Sequence, residues 1–220
     1  MPRSTTKWVS AALLACLAAF AVPASAGPVV YDNGAPNQAG GNNMSFAYQA
    51  EDFVLAADTT ISDVHFWSLE AAGSYRGGFF WGLYSNVGGS PGAAISSGFQ
   101  SLVTRTGTGA AVFGDIEMLN QFDVTSTALL AGTYWLVLHN GAFGNLTDNG
   151  RDFLWETTAL AKGFAGHEDD GTGWTPNGAE HAFQLTGPNV VNVPEPMTGG
   201  LVVAALAALL FTRQRARRRG

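Results

Sequence analysis

The middle of the chain alternates between short runs of aromatic and β-branched residues and clusters of Gly, Asn, Asp and Pro. This pattern is typical of antiparallel strands joined by turns. It predicts strands at residues 51–55, 59–69, 78–84, 98–104, 116–124, 132–139, 152–157 and 181–185. Residues 86–92 predict a tight loop, and residues 106–109 a turn or flexible connection. Only residues 126–130 have helical character, and that stretch is too short to change the all-β prediction.

Two runs indicate how the strands are covered. In residues 63–68, Val64 and Phe66 alternate with Asp63 and His65, which is the period-two pattern of a strand with one buried face. Residues 79–84 are apolar on both faces, as expected for a strand in a two-layer structure. We therefore expect an antiparallel two-sheet sandwich.

The first 26 residues have the parts of a secretory signal peptide: a basic start, an apolar stretch over residues 8–22 and small residues at Ala24 and Ala26. This order predicts that signal peptidase cuts after Ala26 and leaves Gly27 as the new N-terminus. Two alternatives stay open. The segment could be an uncleaved membrane anchor, or the chain could be lipidated at Cys16, which follows Leu-Leu-Ala.

Residues 193–220 also have three parts: a Pro-Glu-Pro motif, an apolar run over residues 197–211 and a terminal group of five arginines. As a helix the run is about 22 Å long, against about 30 Å of membrane hydrocarbon. Arginines at its end can reach the lipid headgroups and hold that end in the cytoplasm. We therefore expect a transmembrane helix over residues 197–212, with the middle of the chain outside the cytoplasm.

This tail resembles the PEP-CTERM sorting signal of bacteria, whose motif is matched at Pro194, Glu195 and Pro196. The resemblance implies export across the inner membrane, transient anchoring, and processing by an exosortase-type membrane enzyme. The protein would then reside at the cell surface or outside the cell. The alternative is a plain tail anchor that carries Pro-Glu-Pro by chance.

The sequence between the two ends is similar to the β-sandwich ectodomains that often precede such tails. The similarity is carried by residues 51–55 (EDFVL), 83–86 (LYSN), 130–136 (LAGTYWL) and 182–187 (AFQLTG). It implies a jelly-roll-like fold and brings no catalytic residues. The expected organisation is a signal peptide at 1–26, an ectodomain at 27–187, a linker at 188–192 and the sorting signal at 193–220.

Charge narrows the choice of partners. The expected ectodomain has four basic and sixteen acidic residues, a net charge of −12. Nucleic acid is excluded as a partner, because its binding depends on Lys and Arg. The only cysteine, Cys16, lies in the signal peptide, so the ectodomain has neither a disulfide nor a thiolate nucleophile.

Local motifs favour no enzyme. Residues 88–92 (GGSPG) match the serine-hydrolase pattern, but Pro91 follows the serine and has no N–H for an oxyanion hole. The four histidines show no zinc spacing. Paired carboxylates could still support polysaccharide hydrolysis, but spatial pairs are not visible in a sequence.

Two features bear on ligands. Glu168, Asp169 and Asp170 precede a glycine, which is typical of a solvated loop and, alternatively, of a calcium loop. We expect Trp174, between Gly173 and Thr175, to be exposed and able to contact a sugar. We therefore expect an exported protein with a structural or interaction role and no required cofactor. The alternative is a module that binds extracellular polysaccharide, assisted by calcium, and a secreted polysaccharide hydrolase is a third choice.

Overall fold

The computed structural model describes residues 27–148 and 150–188. The expectations at Ala24, Ala26, Pro194, Glu195, Pro196 and residues 197–212 lie outside them. The described part contains thirteen strands: β1 Val29–Asp32, β2 Pro36–Asn43, β3 Tyr48–Leu55, β4 Thr59–Glu70, β5 Phe79–Val87, β6 Ser90–Gln100, β7 Thr104–Val112, β8 Asp115–Leu129, β9 Gly132–Asn140, β10 Phe153–Thr158, β11 His167–Asp169, β12 Thr175–Pro176 and β13 Phe183–Thr186. It has no helix, and hence no helix that could cross a membrane.

The strands form two sheets, and every pairing between named strands is antiparallel. In the seven-stranded sheet, β4 pairs with β8 along one edge and with β10 and β13 along the other. Strand β7 extends this sheet beyond β8, β1 pairs with β13, and β2 pairs with β10. The six-stranded sheet has the order β12-β11-β3-β9-β5-β6. The all-β, antiparallel two-sheet prediction is confirmed.

Side chains from both sheets pack in one hydrophobic core. Phe66 of the seven-stranded sheet lies edge-on to Phe79 of the six-stranded sheet, with ring centroids 4.9 Å apart. Trp155 is 6.1 Å from Phe66, and all three side chains are fully buried. Burying such large apolar side chains is the main contribution to stability in a domain held without disulfides.

A second, smaller cluster lies on the outward face of the six-stranded sheet. Its buried members are Tyr48, Ala50, Phe80, Trp135 and Val137. Tyr84, Leu146 and Trp174 pack over them. This cluster confirms that β5 is apolar on both faces because both are covered.

The structure differs from the sequence prediction at the sheet edges. The predicted strand 98–104 is wrong: it joins the end of β6, a connection at 101–103 and the start of β7. Residues 106–109 lie within β7, residues 126–129 within β8, and only Gly88 and Gly89 form the turn expected over 86–92. Both glycines have positive φ, 62° and 85°, which suits a two-residue hairpin turn. Edge strands rich in Gly, Ser and Thr lack the apolar alternation that identifies a strand.

Candidate functional site

The outward face of the six-stranded sheet is the first candidate site, and we call it the roofed face. The strand register places its side chains in three parallel rows across β3, β9 and β5. The rows are Asp52, Trp135 and Tyr84; Ala50, Val137 and Gly82; and Tyr48, His139 and Phe80. The small residues of the middle row lie between two rows of large ones, and the Tyr84 ring lies over Gly82. Loops outside the sheet add further aromatic side chains to this face.

Two phenylalanines from those loops lie on the roofed face. Phe143 stacks on Tyr48, with centroids 5.3 Å apart and ring planes at 29°, and it contacts Phe80 at 4.9 Å. Phe164 stacks on Trp135, at 6.3 Å and 19°. Phe143 is nevertheless 68% exposed and Phe164 45% exposed. Each ring is therefore held by a more buried ring on one side and is open to solvent on another.

Arg76 fixes the loop that carries Phe143. Its guanidinium donates to the backbone carbonyls of Ser45 (2.8 Å), Asn145 (3.1 Å) and Thr147. The Tyr48 hydroxyl accepts a hydrogen bond from the Gly144 amide at 2.6 Å. These contacts hold the loop against the sheet through its backbone, so that Phe143 need not be buried to be positioned.

Trp174 also lies on the roofed face, but it is only half-exposed. Its ring is edge-on to Tyr84, with centroids 6.2 Å apart and ring planes at 78°. It packs over the small cluster together with Leu146. A contact between Trp174 and a sugar stays a prediction, and the more open rings here are those of Phe143 and Phe164.

The three acidic residues singled out in the sequence belong to the β11–β12 hairpin, next to Trp174. Asp169 Oδ1 accepts from the amides of Gly171 (2.8 Å) and Gly173 (2.9 Å). Asp170 Oδ1 accepts from the hydroxyl (2.6 Å) and the amide (3.1 Å) of Thr172, and these bonds lower the pKa of Asp170. The described residues hold no group of three or more His, Cys, Asp or Glu arranged to bind a metal. Calcium binding at Glu168 to Asp170 stays a prediction.

A second candidate site is a buried group of polar side chains centred on Glu51 and His181. Both residues are fully buried, and His181 stacks on Trp155 at 4.7 Å. Glu51 Oε2 lies 2.7 Å from His181 Nδ1 and accepts from the His181 amide at 2.9 Å. His181 Nε2 lies 3.1 Å from Asn42 Oδ1. An amide oxygen only accepts, so Nε2 carries the imidazole proton and Nδ1 accepts one from the carboxyl group of Glu51.

The pKa shifts agree with this neutral pair. Burial, and after it the charge of Glu180, raises the pKa of Glu51 to about 10. Burial lowers the pKa of His181 to about 3. Although the atoms are close enough for an ion pair, the short contact is a hydrogen bond between uncharged groups, because desolvation penalises both charges.

Two further carboxyl groups adjoin Glu51. Glu180 is half-exposed and hydrogen-bonded to the Glu51 side chain. Asp52 Oδ1 accepts from the Phe164 amide at 2.9 Å, and burial raises the pKa of Asp52 to about 6. Glu51 Oε1 and Asp52 Oδ2 are buried and make no hydrogen bond by geometric criteria.

Sequence reasoning missed Phe143, Phe164 and the Glu51–His181 pair. Glu51 and His181 are separated by 130 positions, so no local spacing could join them. Phe143 follows Gly141-Ala142, and its loop gave no strand or motif signal.

No protein-family model, curated protein or solved structure is significantly similar to this chain.

Proposed function

We propose that this chain is an exported bacterial protein of the cell surface or extracellular matrix, with a structural or interaction role rather than a catalytic one. Signal peptidase would cut after Ala26, and an exosortase would process the tail at Pro194, Glu195 and Pro196. The observation that carries the proposal is the order of motif, apolar run and arginines in residues 193–220. The acidic ectodomain is suited to solubility outside the cell.

Replacing Glu195 with alanine tests the sorting step. The variant should stay in the membrane fraction at full length, because the acidic centre of the motif is lost while the apolar run and arginines are kept. Cell fractionation and mass spectrometry of both termini would measure this. The matched control is Asn192→Ala, just outside the motif, which should be processed like the unchanged chain. Normal processing of Glu195→Ala would argue for a plain tail anchor.

The second candidate function is binding of extracellular polysaccharide on the roofed face. The observation that favours it is the pair of open rings, Phe143 and Phe164, each supported by a more buried aromatic ring. The apolar C–H face of a sugar packs on such a rigid ring at low cost in side-chain entropy. Trp174 lies on the same face. We also propose that the strands follow a jelly-roll-like order, as the resemblance to the ectodomains implies.

The double variant Phe143→Ala/Phe164→Ala should bind polysaccharide at least about tenfold more weakly, because both stacking surfaces are removed. A glycan array would identify the polysaccharide, and calorimetry would measure the affinity. The matched control is Phe113→Ala: Phe113 is 88% exposed in the turn between β7 and β8. No binding by the unchanged chain, or equal losses in control and double variant, would exclude this function.

Calcium assistance and polysaccharide hydrolysis have less support. Asp169 and Asp170 each use one carboxylate oxygen within their own loop. Hydrolysis needs two carboxyl groups that reach one glycosidic bond. The perturbed carboxyl groups of Glu51 and Glu156 are instead fully buried.

A further inference from the structure

Glu117 and Glu156 form a carboxyl pair on the outward face of the seven-stranded sheet. They lie on β8 and β10, the strands on either side of β4. Phe122 of β8 and Trp155 of β10 belong to the core, so alternation directs Glu117 and Glu156 to the other face. The two side chains meet over β4 and are within hydrogen-bond range of each other.

The pair is closed off from water. Glu156 is fully buried and Glu117 is 4% exposed. The Oε2 atoms of both are buried and have no donor by geometric criteria. Two carboxylates cannot bond to each other, whereas a carboxyl and a carboxylate can share one proton. The closed arrangement therefore requires a proton between the two side chains.

Strand β2 pairs with β10 beside these two side chains and contacts Glu156 through its backbone. It has the sequence PNQAGGNN, with no large apolar side chain and no titratable one. The Gln38 amide donates to Glu156 Oε1 at 2.8 Å. Gln38 has a φ of 58°, which is unfavourable for a residue with a side chain. Pairing between β2 and β10 is irregular between Glu156 and Thr158.

The other groups around the pair do not supply a compensating positive charge. Strand β4 presents Leu69 directly beside Glu117. From β7, Arg105 is engaged by Glu70 and Asn120. Burial, followed by the negative charge of Glu117, raises the pKa of Glu156 to about 7. Losing the shared proton therefore leaves two buried negative charges facing each other.

We propose that the Glu117–Glu156 pair is a proton-operated latch for β2, which lies closed over the sheet while the two side chains share a proton and opens when that proton passes to solvent. Opening lets water reach both carboxylates and separates them. It also breaks the bond from the Gln38 amide and uncovers part of the outward face of the seven-stranded sheet. This behaviour is independent of the export and polysaccharide-binding proposals.

Hydrogen exchange of the full chain at pH 6 and pH 8.5, corrected for the intrinsic pH dependence of exchange, tests the latch. Peptides covering residues 36–43 should lose protection by at least about tenfold at the higher pH. Peptides from the central strand β9 should stay more strongly protected than β2 at both values, although the titration of Glu51 lowers the free energy of unfolding over the same range. In Glu117→Gln the neutral amide donates to Glu156 without a shared proton, so β2 should stay protected at both values.

The matched control is Asp58→Asn, which removes a carboxylate from the exposed segment between β3 and β4 and should behave like the unchanged chain. Unchanged protection of β2 at pH 8.5 would overturn the latch. So would the same loss in Glu117→Gln as in the unchanged chain. Exchange of β9 as fast as that of β2 at pH 8.5 would show general unfolding instead of local opening, and would also overturn it.

Discussion

Replacing His181 with alanine is expected to lower the free energy of unfolding by about 3–5 kcal/mol. The substitution removes a fully buried ring that stacks on Trp155 at 4.7 Å. It also takes away the hydrogen-bond partner of Glu51 and of Asn42. A cavity and unsatisfied buried polar groups thus arise together. Urea denaturation at pH 7 would measure the loss.

The matched variant Glu51→Gln tests whether the Glu51–His181 pair is neutral or charged. The glutamine NH2 can donate to His181 Nδ1, but it then occupies the position that accepts from the His181 backbone amide, so this second bond is lost. If the pair is neutral, the exchange should therefore cost about 1–2 kcal/mol at pH 7, clearly less than His181→Ala. A loss as large as that of His181→Ala would mean that Glu51 and His181 are charged, because only a charged pair depends on the carboxylate.

Raising the pH from 7 to 10 should lower the free energy of unfolding by about 4 kcal/mol. Glu51 has a pKa of about 10 in the folded protein and an ordinary value of 4.5. Between these two pH values the folded state keeps a proton that the unfolded chain has released. The free energy of unfolding therefore falls as the pH rises. The slope for one such proton is about 1.4 kcal/mol per pH unit.

His181 contributes to the pH dependence of stability with the opposite sign. The pKa of His181 is lowered from 6.5 to about 3. Below pH 6.5 the unfolded chain binds a proton that the folded protein excludes, so stability falls as the pH is lowered. Glu51 and Glu156, whose pKa values are raised to about 10 and about 7, oppose this contribution between pH 4.5 and 6.5, so a net loss of stability is expected only below pH 4.5. Denaturation between pH 3 and 10 would measure both sides, and Glu51→Gln should flatten the alkaline side. An alkaline side that is already flat in the unchanged chain would contradict the assignment.

The fold could be predicted from sequence where burial leaves a regular pattern. Strands β4 and β9 contain many apolar residues because they pack in the interior of the structure, and both were predicted. Strand β2, by contrast, is polar throughout and is held by its neighbours, so nothing local distinguishes it from a loop. Neither sheet order nor strand register is encoded in the spacing of residues along the chain.

The candidate sites were less predictable than the fold. Glu117 and Glu156 each occupy a position in a strand that alternation assigns to the solvent side, but both side chains are buried, and the β2 backbone contacts Glu156. Only the three-dimensional arrangement shows that they meet. Asp169 and Asp170 are adjacent to Trp174 in sequence, and their hairpin could be anticipated as a loop, but not the way its backbone amides occupy the carboxylates.

The anchoring of the Phe143 loop by Arg76 has a consequence for how that loop responds to pH and salt. The Arg76 guanidinium is one of four Lys and Arg side chains in residues 27–188, and it binds neutral backbone carbonyls. An arginine stays charged across the physiological pH range, and its planar set of donors can serve several acceptors at once. Since none of these carbonyls carries a net charge, we expect variation in pH or ionic strength to leave this part of the surface in the same shape.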